Sequence, residues 1–319
     1  MLNFKRGITN KKFVEVLKKK YQEGGWWKDV VDDKELFVAI RNEYLNIYFQ
    51  GNSLLKLSFP NDDLVAETHY KYLCQPSMKP CLIKAAGNDG SFFYNILTCA
   101  EEKGALDDYL IHNLTEIKGI KKASKVYGGV EKDGIQKILN SNRNIVDLEI
   151  ALTQEAEDDE SKMQESKRPK AKRIDFAAFQ KKQDCYELIF FEVKDFSNTE
   201  LRAKGNAEPD VLDQISTYET LLRQYENDIK KSYNLVCRNL NELLPSDRLD
   251  QSIVDIATGS HPIKVDVEPR LVLFGFDEDQ RVGRKWGPHK EKLENSLGKK
   301  FLAKGDSNGF INGISQPNK

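Results

Sequence analysis

A chain of 319 residues, 39% hydrophobic and 10% aromatic, has the length and apolar content for one large domain or two ordinary ones around a real core. Lys+Arg 49 against Asp+Glu 50 leave a net charge of -1, so no global basic field announces a nucleic-acid partner, and local patches must supply any such contact. The longest apolar stretches, such as Leu188 to Phe191, fall far short of the roughly 20 residues of a membrane span. The opening Met1-Leu-Asn-Phe-Lys-Arg lacks the apolar run of a secretory signal, so the expectation is a cytoplasmic protein with no membrane partner.

Phe13, Val14, Leu17 and Tyr21 repeat at helical spacing, and Gly24-Gly25 ends that amphipathic helix before Trp26-Trp27. Both tryptophans read as core rather than as base-stacking groups. Leu36 to Ile40, Tyr44 to Phe49 and Ser53 to Phe59 then form a three-stranded meander, its last two strands joined at Gly51-Asn52. Apolar spacing predicts helices over Phe92 to Glu102 and Ala105 to Leu114, with a domain boundary near residue 105. Ile145 to Leu152 alternates as a half-buried strand whose Asp147 and Glu149 read as a solvated face. Residues 154 to 172 run from acids to bases with almost nothing apolar, a mobile charged insert at the tip of a hairpin. Strand-like sequence resumes directly after it with Arg173 to Phe179 and then Tyr186 to Lys194. Val211, Ile215, Tyr218, Leu222, Tyr225 and Ile229 mark the clearest helix of the chain, entered at Pro209. Tyr233 to Cys237 and Arg270 to Phe276 follow as strands, Trp286 to Leu302 as a basic closing helix, and a loose tail starts at about Gly305.

Five cysteines, Cys74, Cys81, Cys99, Cys185 and Cys237, contain no C-x-x-C pair, which excludes zinc ribbons and a disulfide framework. They read as reduced thiols. His69, His112, His261 and His289 lack metal-pair spacing, and Gly24-Gly25 and Gly128-Gly129 lack the spacing of a phosphate-cradling loop.

Chemistry concentrates on Leu188-Ile-Phe-Phe-Glu-Val-Lys194, whose strand period puts Glu192 and Lys194 on one face. Asp175 lies near the start of the preceding strand, where an antiparallel hairpin brings it beside them. Other E-x-K triplets occur, at Glu101, Glu116, Glu160 and Glu165, but only Glu192 ends a run of bulky apolar residues, where ionisable groups are costly unless paired or functional. Paired carboxylates at a strand end suit a hard cation such as Mg²⁺ that keeps open positions for phosphate oxygen, with Lys194 positioning the attacking water or balancing charge. A plain salt-bridge cluster is the competing account.

Arg173-Ile-Asp175, Phe191-Glu-Val-Lys194 and Gln214-Ile-Ser-Thr-Tyr218 together resemble the PD-(D/E)xK nuclease superfamily, in its RecB-like branch with a Q-x-x-x-Y helix motif. The resemblance covers roughly residues 145 to 240. It implies an α/β fold with a restriction-endonuclease-like mixed central sheet flanked by helices, at residues 106–304, preceded by an N-terminal α+β domain at residues 1–105 for substrate or partner recognition. It further implies that Asp175 and Glu192 bind Mg²⁺ or Mn²⁺, that Lys194 serves catalysis, and that Gln214 and Tyr218, with Arg173, shape the site or touch substrate. Core packing accounts for Tyr218 equally well. Isoleucine stands where the family's name has proline, and Glu131 and Glu149 are the candidates for its upstream acid, Glu149 as a further metal ligand. The expected function is a metal-dependent endonuclease acting on DNA ahead of RNA in a prokaryotic defence or restriction setting. The alternative is a non-catalytic module that keeps the fold. Lys118, Lys121, Lys122 and Lys125, and separately Arg281, Arg284, Lys285, Lys290 and Lys292, are basic clusters able to follow a phosphate backbone, and a protein partner or self-association remains compatible with the charge balance.

Overall fold

The computed structural model describes residues 4–73, 93–97, 117–152 and 173–305. The expected helix at Ala105 to Leu114, the 105/106 boundary, the insert at 154–172, the tail beyond Gly305 and Cys74, Cys81, Cys99 and His112 lie outside them. Backbone contacts divide the chain into two units, one of Arg6–Lys132 with Asn239–Arg248, the other of Met1–Lys5, Asp133–Arg238 and Leu249–Lys319. Each is mixed α/β. No helix of the described residues is long and apolar enough to cross a membrane.

In the first unit, α1 (Lys11–Glu23) starts where the Asn10 side chain accepts the Phe13 N–H and buries Phe13, Val14 and Leu17. It stops at Gly24 and Gly25, whose φ of 84° and 81° disfavour side chains. The second helix, α2 (Trp26–Asp32), buries Trp27, Val30 and Val31, which makes Trp27 a core residue. Strands β1 (Phe37–Ile40), β2 (Leu45–Phe49), β3 (Asn52–Ser58), β4 (Val65–His69) and β5 (Phe93–Asn95) form a five-stranded antiparallel sheet in chain order. The expected meander is therefore its first three strands. Its second turn centres on Gln50 and Gly51, both at positive φ, the geometry that matches strand twist in a two-residue hairpin. The helix expected over Phe92 to Glu102 is corrected where it is described: Phe93–Asn95 is a strand paired with β4, while Phe92 and residues 98–102 lie outside the described residues. Asn46 and Tyr48 are buried and hydrogen-bonded to each other at 2.9 Å, so this strand face belongs to the core.

The second unit carries a six-stranded mixed sheet. Helix α3 (Ile117–Ser124) precedes it in the chain, and α4 (Val130–Ser141) leads into β6 (Ile145–Ala151), β7 (Arg173–Lys181) and β8 (Tyr186–Asp195), which pair antiparallel in sequence order. Helix α5 (Asp210–Leu243) and α6 (Gln251–Ala257) follow, and the chain returns as β9 (Ile263–Val265) and β10 (Arg270–Phe274), both parallel to β8. Parallel pairing needs a long crossover, which α5 supplies. After α7 (Glu278–Val282) and α8 (Gly287–Leu297), β11 (Phe301–Gly305) adds parallel to β10. Leu188 to Phe191 and Val193 are fully buried because β8 is central and covered on both faces. On one face Val211 and Ile215 of α5 and Leu293 and Leu297 of α8 pack with Leu271, Leu273 and Phe301. On the other, Gly134 of α4 lets the helix approach the Phe274 ring, with no room for a Cβ.

Two expected elements change here. Tyr233 to Cys237 is not a strand but part of α5: Tyr233, Val236, Cys237 and Leu240 continue the buried stripe at steps of three and four. Burial also raises the Cys237 pKa, leaving an inert thiol. The closing helix ends at Leu297, and Phe301 and Leu302 enter β11 instead, since Gly298 takes a φ of 55° and breaks the helix. A glycine also protects the end of β10. Gly275 has a φ of 77°, and a Cβ there would strike the Asp195 carboxylate, itself held by the Ser197 N–H at 2.9 Å. Gly275→Ala should therefore lower unfolding stability by about 2–3 kcal/mol, read as a fall in urea midpoint at constant m-value.

Candidate functional site

The site is built where β7 and β8 part. Their ladder ends at Phe176 opposite Phe191, and beyond it the Asp175 carboxylate takes the Val193 N–H at 2.6 Å. A side chain thus replaces a ladder bond, which pins Asp175 beside the Glu192-Val193-Lys194 segment. The parallel register with β10 sets Glu192 opposite Leu271 and Lys194 opposite Leu273, on the face that α5 covers.

Glu192 and Lys194 are buried to 2% and 7% exposure, a setting that ionised groups tolerate only when paired and hydrogen-bonded. Glu192 Oε1 receives Lys194 Nζ at 2.8 Å and Gln214 Nε2 at 2.7 Å. The same Gln214 amide donates its second hydrogen to the Tyr218 hydroxyl at 2.8 Å, and that hydroxyl donates to the Arg173 carbonyl at 2.7 Å. Residues four apart on a helix share a face, so Gln214 and Tyr218 act together across the sheet. Arg173 enters this network through its main-chain carbonyl. The result ties the start of β7 to the centre of β8 through one turn of α5.

Burial acts to lower the Lys194 pKa, but the Glu192 carboxylate, joined by Glu200 and Asp175, outweighs it and holds the pKa above the ordinary lysine value. Lys194 is therefore an ammonium at neutral pH, a donor and a charge rather than a base. Burial, then the charge of Glu192, raise the Tyr218 pKa, so its hydroxyl keeps its proton.

The expected Asp175, Glu192, Lys194, Gln214 and Tyr218 thus come together. Glu149 lies level with Asp175 in register, since its neighbours Leu148 and Ile150 pair with Phe176 and Ile174. It departs from strand geometry at a φ of 49° and is half-buried. Glu131 sits in the first turn of α4. Asp147 corrects the solvated-face expectation: it is 1% exposed and accepts the Tyr233 hydroxyl at 2.9 Å. Strand alternation names a face but not which face α5 will cover. One residue is new. Glu200, on the short turn after β8, places its carboxylate 2.8 Å from Lys194 Nζ, and no periodicity in the polar loop marks it.

Asp175 and Glu192 present hard carboxylate oxygens on adjacent strands. The Lys194 ammonium meets the carboxylates of Glu192 and Glu200 at 2.8 Å each, with the charge of Asp175 acting on it from further away. Among the described residues no group of three His, Cys, Asp or Glu side chains gathers at metal-binding distance. Asp175 and Glu192 are the two carboxylates that would hold an ion such as Mg²⁺, which takes one or two protein carboxylates and fills its other positions with phosphate and water.

The basic clusters are smaller than their sequence suggests. Lys121 is buried in ion pairs with Asp33 at 2.6 Å and Glu35 at 2.7 Å, which removes it from any phosphate-facing set. Lys292 donates to the carbonyls of Asn206 and Ala207, and Lys290 pairs with Glu294.

Scanned against protein-family models and searched against curated proteins and solved structures, the chain matches none of them.

Proposed function

We propose that the chain is a divalent-metal-dependent nuclease that hydrolyses phosphodiester bonds in DNA, with the restriction-endonuclease-like organisation that its PD-(D/E)xK resemblance implies. The observation that carries this reading is the Gln214 amide, which joins Glu192 of the E-x-K triplet to Tyr218 of the Q-x-x-x-Y pair in a single buried network. The order of the three motifs along the chain and their meeting in one buried network are what support the reading.

In this reading Asp175 and Glu192 would hold Mg²⁺ or Mn²⁺, which when bound would supply Lewis-acid polarisation of the phosphate and a lowered pKa for a water ligand. Lys194, kept protonated by its carboxylate neighbours, would donate to a non-bridging phosphate oxygen or to the attacking water as negative charge builds in the transition state. Gln214 fixes the Glu192 carboxylate by a hydrogen bond that an ion ligand needs for its orientation. Tyr218 anchors Gln214 and, through the Arg173 carbonyl, the strand carrying Asp175. The choice of DNA and the defence setting rest on the resemblance alone.

The test is direct. The purified chain should nick or cut plasmid DNA with Mg²⁺ or Mn²⁺, lose the activity in EDTA and regain it on metal addition. Preference for RNA in the same assay would change the substrate. Cleavage that persists in Lys194→Ala, or that never appears on DNA or RNA with either metal, would leave the non-catalytic module as the surviving account.

A further inference from the structure

We infer that Glu200 is a positioning residue for Lys194, a role that deepens the nuclease reading and rests on it for its catalytic consequence. Lys194 Nζ lies 2.8 Å from Glu192 Oε1 and 2.8 Å from Glu200 Oε2, so one ammonium is shared by two carboxylates from different elements. The two differ in setting. The Glu192 side chain is 3% exposed and that of Glu200 40%, while the Glu200 oxygen that meets Lys194 is itself buried, so Lys194 joins the strand carboxylate to one on the turn that follows it.

An exposed ion pair by itself contributes little, because both long side chains must be ordered to form it. Glu200 stands on a turn ordered by other means. Asn198 Oδ1 accepts the Glu200 N–H at 2.9 Å, the Asn198 N–H returns to the Asp195 carbonyl at 2.9 Å, and Leu201 is fully buried in the core between α5, α8 and the sheet. Arg202 closes the turn, its guanidinium carbon 4.6 Å from the Phe196 ring centre and 4.9 Å from that of Trp286, while it donates to the Asn198 carbonyl at 3.1 Å. The carboxylate is thus delivered to Lys194 by a packed support, as a preorganised site requires. Were Glu192 to hold a cation, Lys194 would lose part of the attraction that holds it, and Glu200 would then be the partner that keeps the ammonium in place.

The test uses Glu200→Gln and Glu200→Asp in the full chain. Labelling of Lys194 by acetic anhydride, read by peptide mass spectrometry on metal-free protein at one pH, should rise several-fold in Glu200→Gln and less in Glu200→Asp, with Lys204 labelling unchanged. With Mg²⁺, kcat should fall about tenfold or more in Glu200→Gln at constant KM and Tm, and recover in part in Glu200→Asp. Unchanged Lys194 labelling overturns the inference, as does a rise that comes with lower Tm and equal loosening at Lys204. Increased labelling with unchanged kcat makes Glu200 an ordinary ion-pair partner and overturns the positioning role. If the wild-type chain cuts nothing, the nuclease reading falls, while the labelling arm still decides whether Glu200 holds Lys194.

Discussion

Asp175→Asn should reduce metal-dependent cleavage by roughly a thousandfold, about 4 kcal/mol of transition-state stabilisation, with the fold intact. The substitution suits the question because of what Asp175 does in the structure. Its Oδ2 accepts the Val193 N–H, and an asparagine oxygen accepts that bond equally well, so the junction of β7 and β8 is preserved. Only the charge is removed, and with it the metal-ligand role that the proposed function gives Asp175 beside Glu192. The measurement is single-turnover cleavage with saturating Mg²⁺ alongside a thermal melt. A variant that melts with wild type and cuts at wild-type rate would separate Asp175 from the chemistry and reduce it to a strand-end hydrogen bond.

A second large effect concerns stability and needs no activity. Lys194→Met should destabilise the chain by about 3–5 kcal/mol, because it strands the Glu192 carboxylate, 2% exposed, without its counter-charge. The double variant Glu192→Gln, Lys194→Met should regain most of that loss. Glutamine at 192 still accepts from Gln214, and the methionine fills the volume of the lysine stem. A double-mutant cycle in urea gives the coupling directly. The pH dependence follows from the raised Lys194 pKa. A cation whose folded pKa lies above its unfolded value contributes fully below the unfolded pKa, and that contribution is lost as pH rises through the folded one. The stability gap between wild type and Lys194→Met should therefore stay level through neutral pH and close only above the ordinary lysine range. Equal stability of wild type and single variant at pH 7 would show that the pair is solvated and that the buried network is wrong.

The same site shows which features local sequence carries. The alternation from Leu188 to Lys194 places Glu192 and Lys194 on one face, and the spacing of Gln214 and Tyr218 places them on one helix turn, because both periods are properties of the backbone alone. The hairpin that brings Asp175 to Glu192 is legible for the same reason. Glu200 is not. It depends on the path of an irregular turn whose anchors, Leu201 and Arg202, act through partners such as Trp286, far away in the chain. Asp147 shows a related limit: alternation separates two faces, and only the packing of α5 decides that both are dry.

Helix α5 and strand β5 mark the boundary between the two kinds of information. Tyr233 to Cys237, taken as five residues, has the aromatic and small apolar character of a strand, and becomes helix because its buried positions extend a stripe begun more than twenty residues earlier. Phe93–Asn95 becomes strand because β4 offers it a free edge to pair with. By itself the sequence determined the element periods, the buried strand with its two ionisable residues, and the order of acid, E-x-K and Q-x-x-x-Y. Tertiary structure alone decided which of those side chains share an ammonium, which lysines are consumed in ion pairs, and that a glutamate from a loop completes the set. The physical reason is that periodicity is set by bonds between neighbours, whereas convergence is set by register and packing between segments that no local pattern connects.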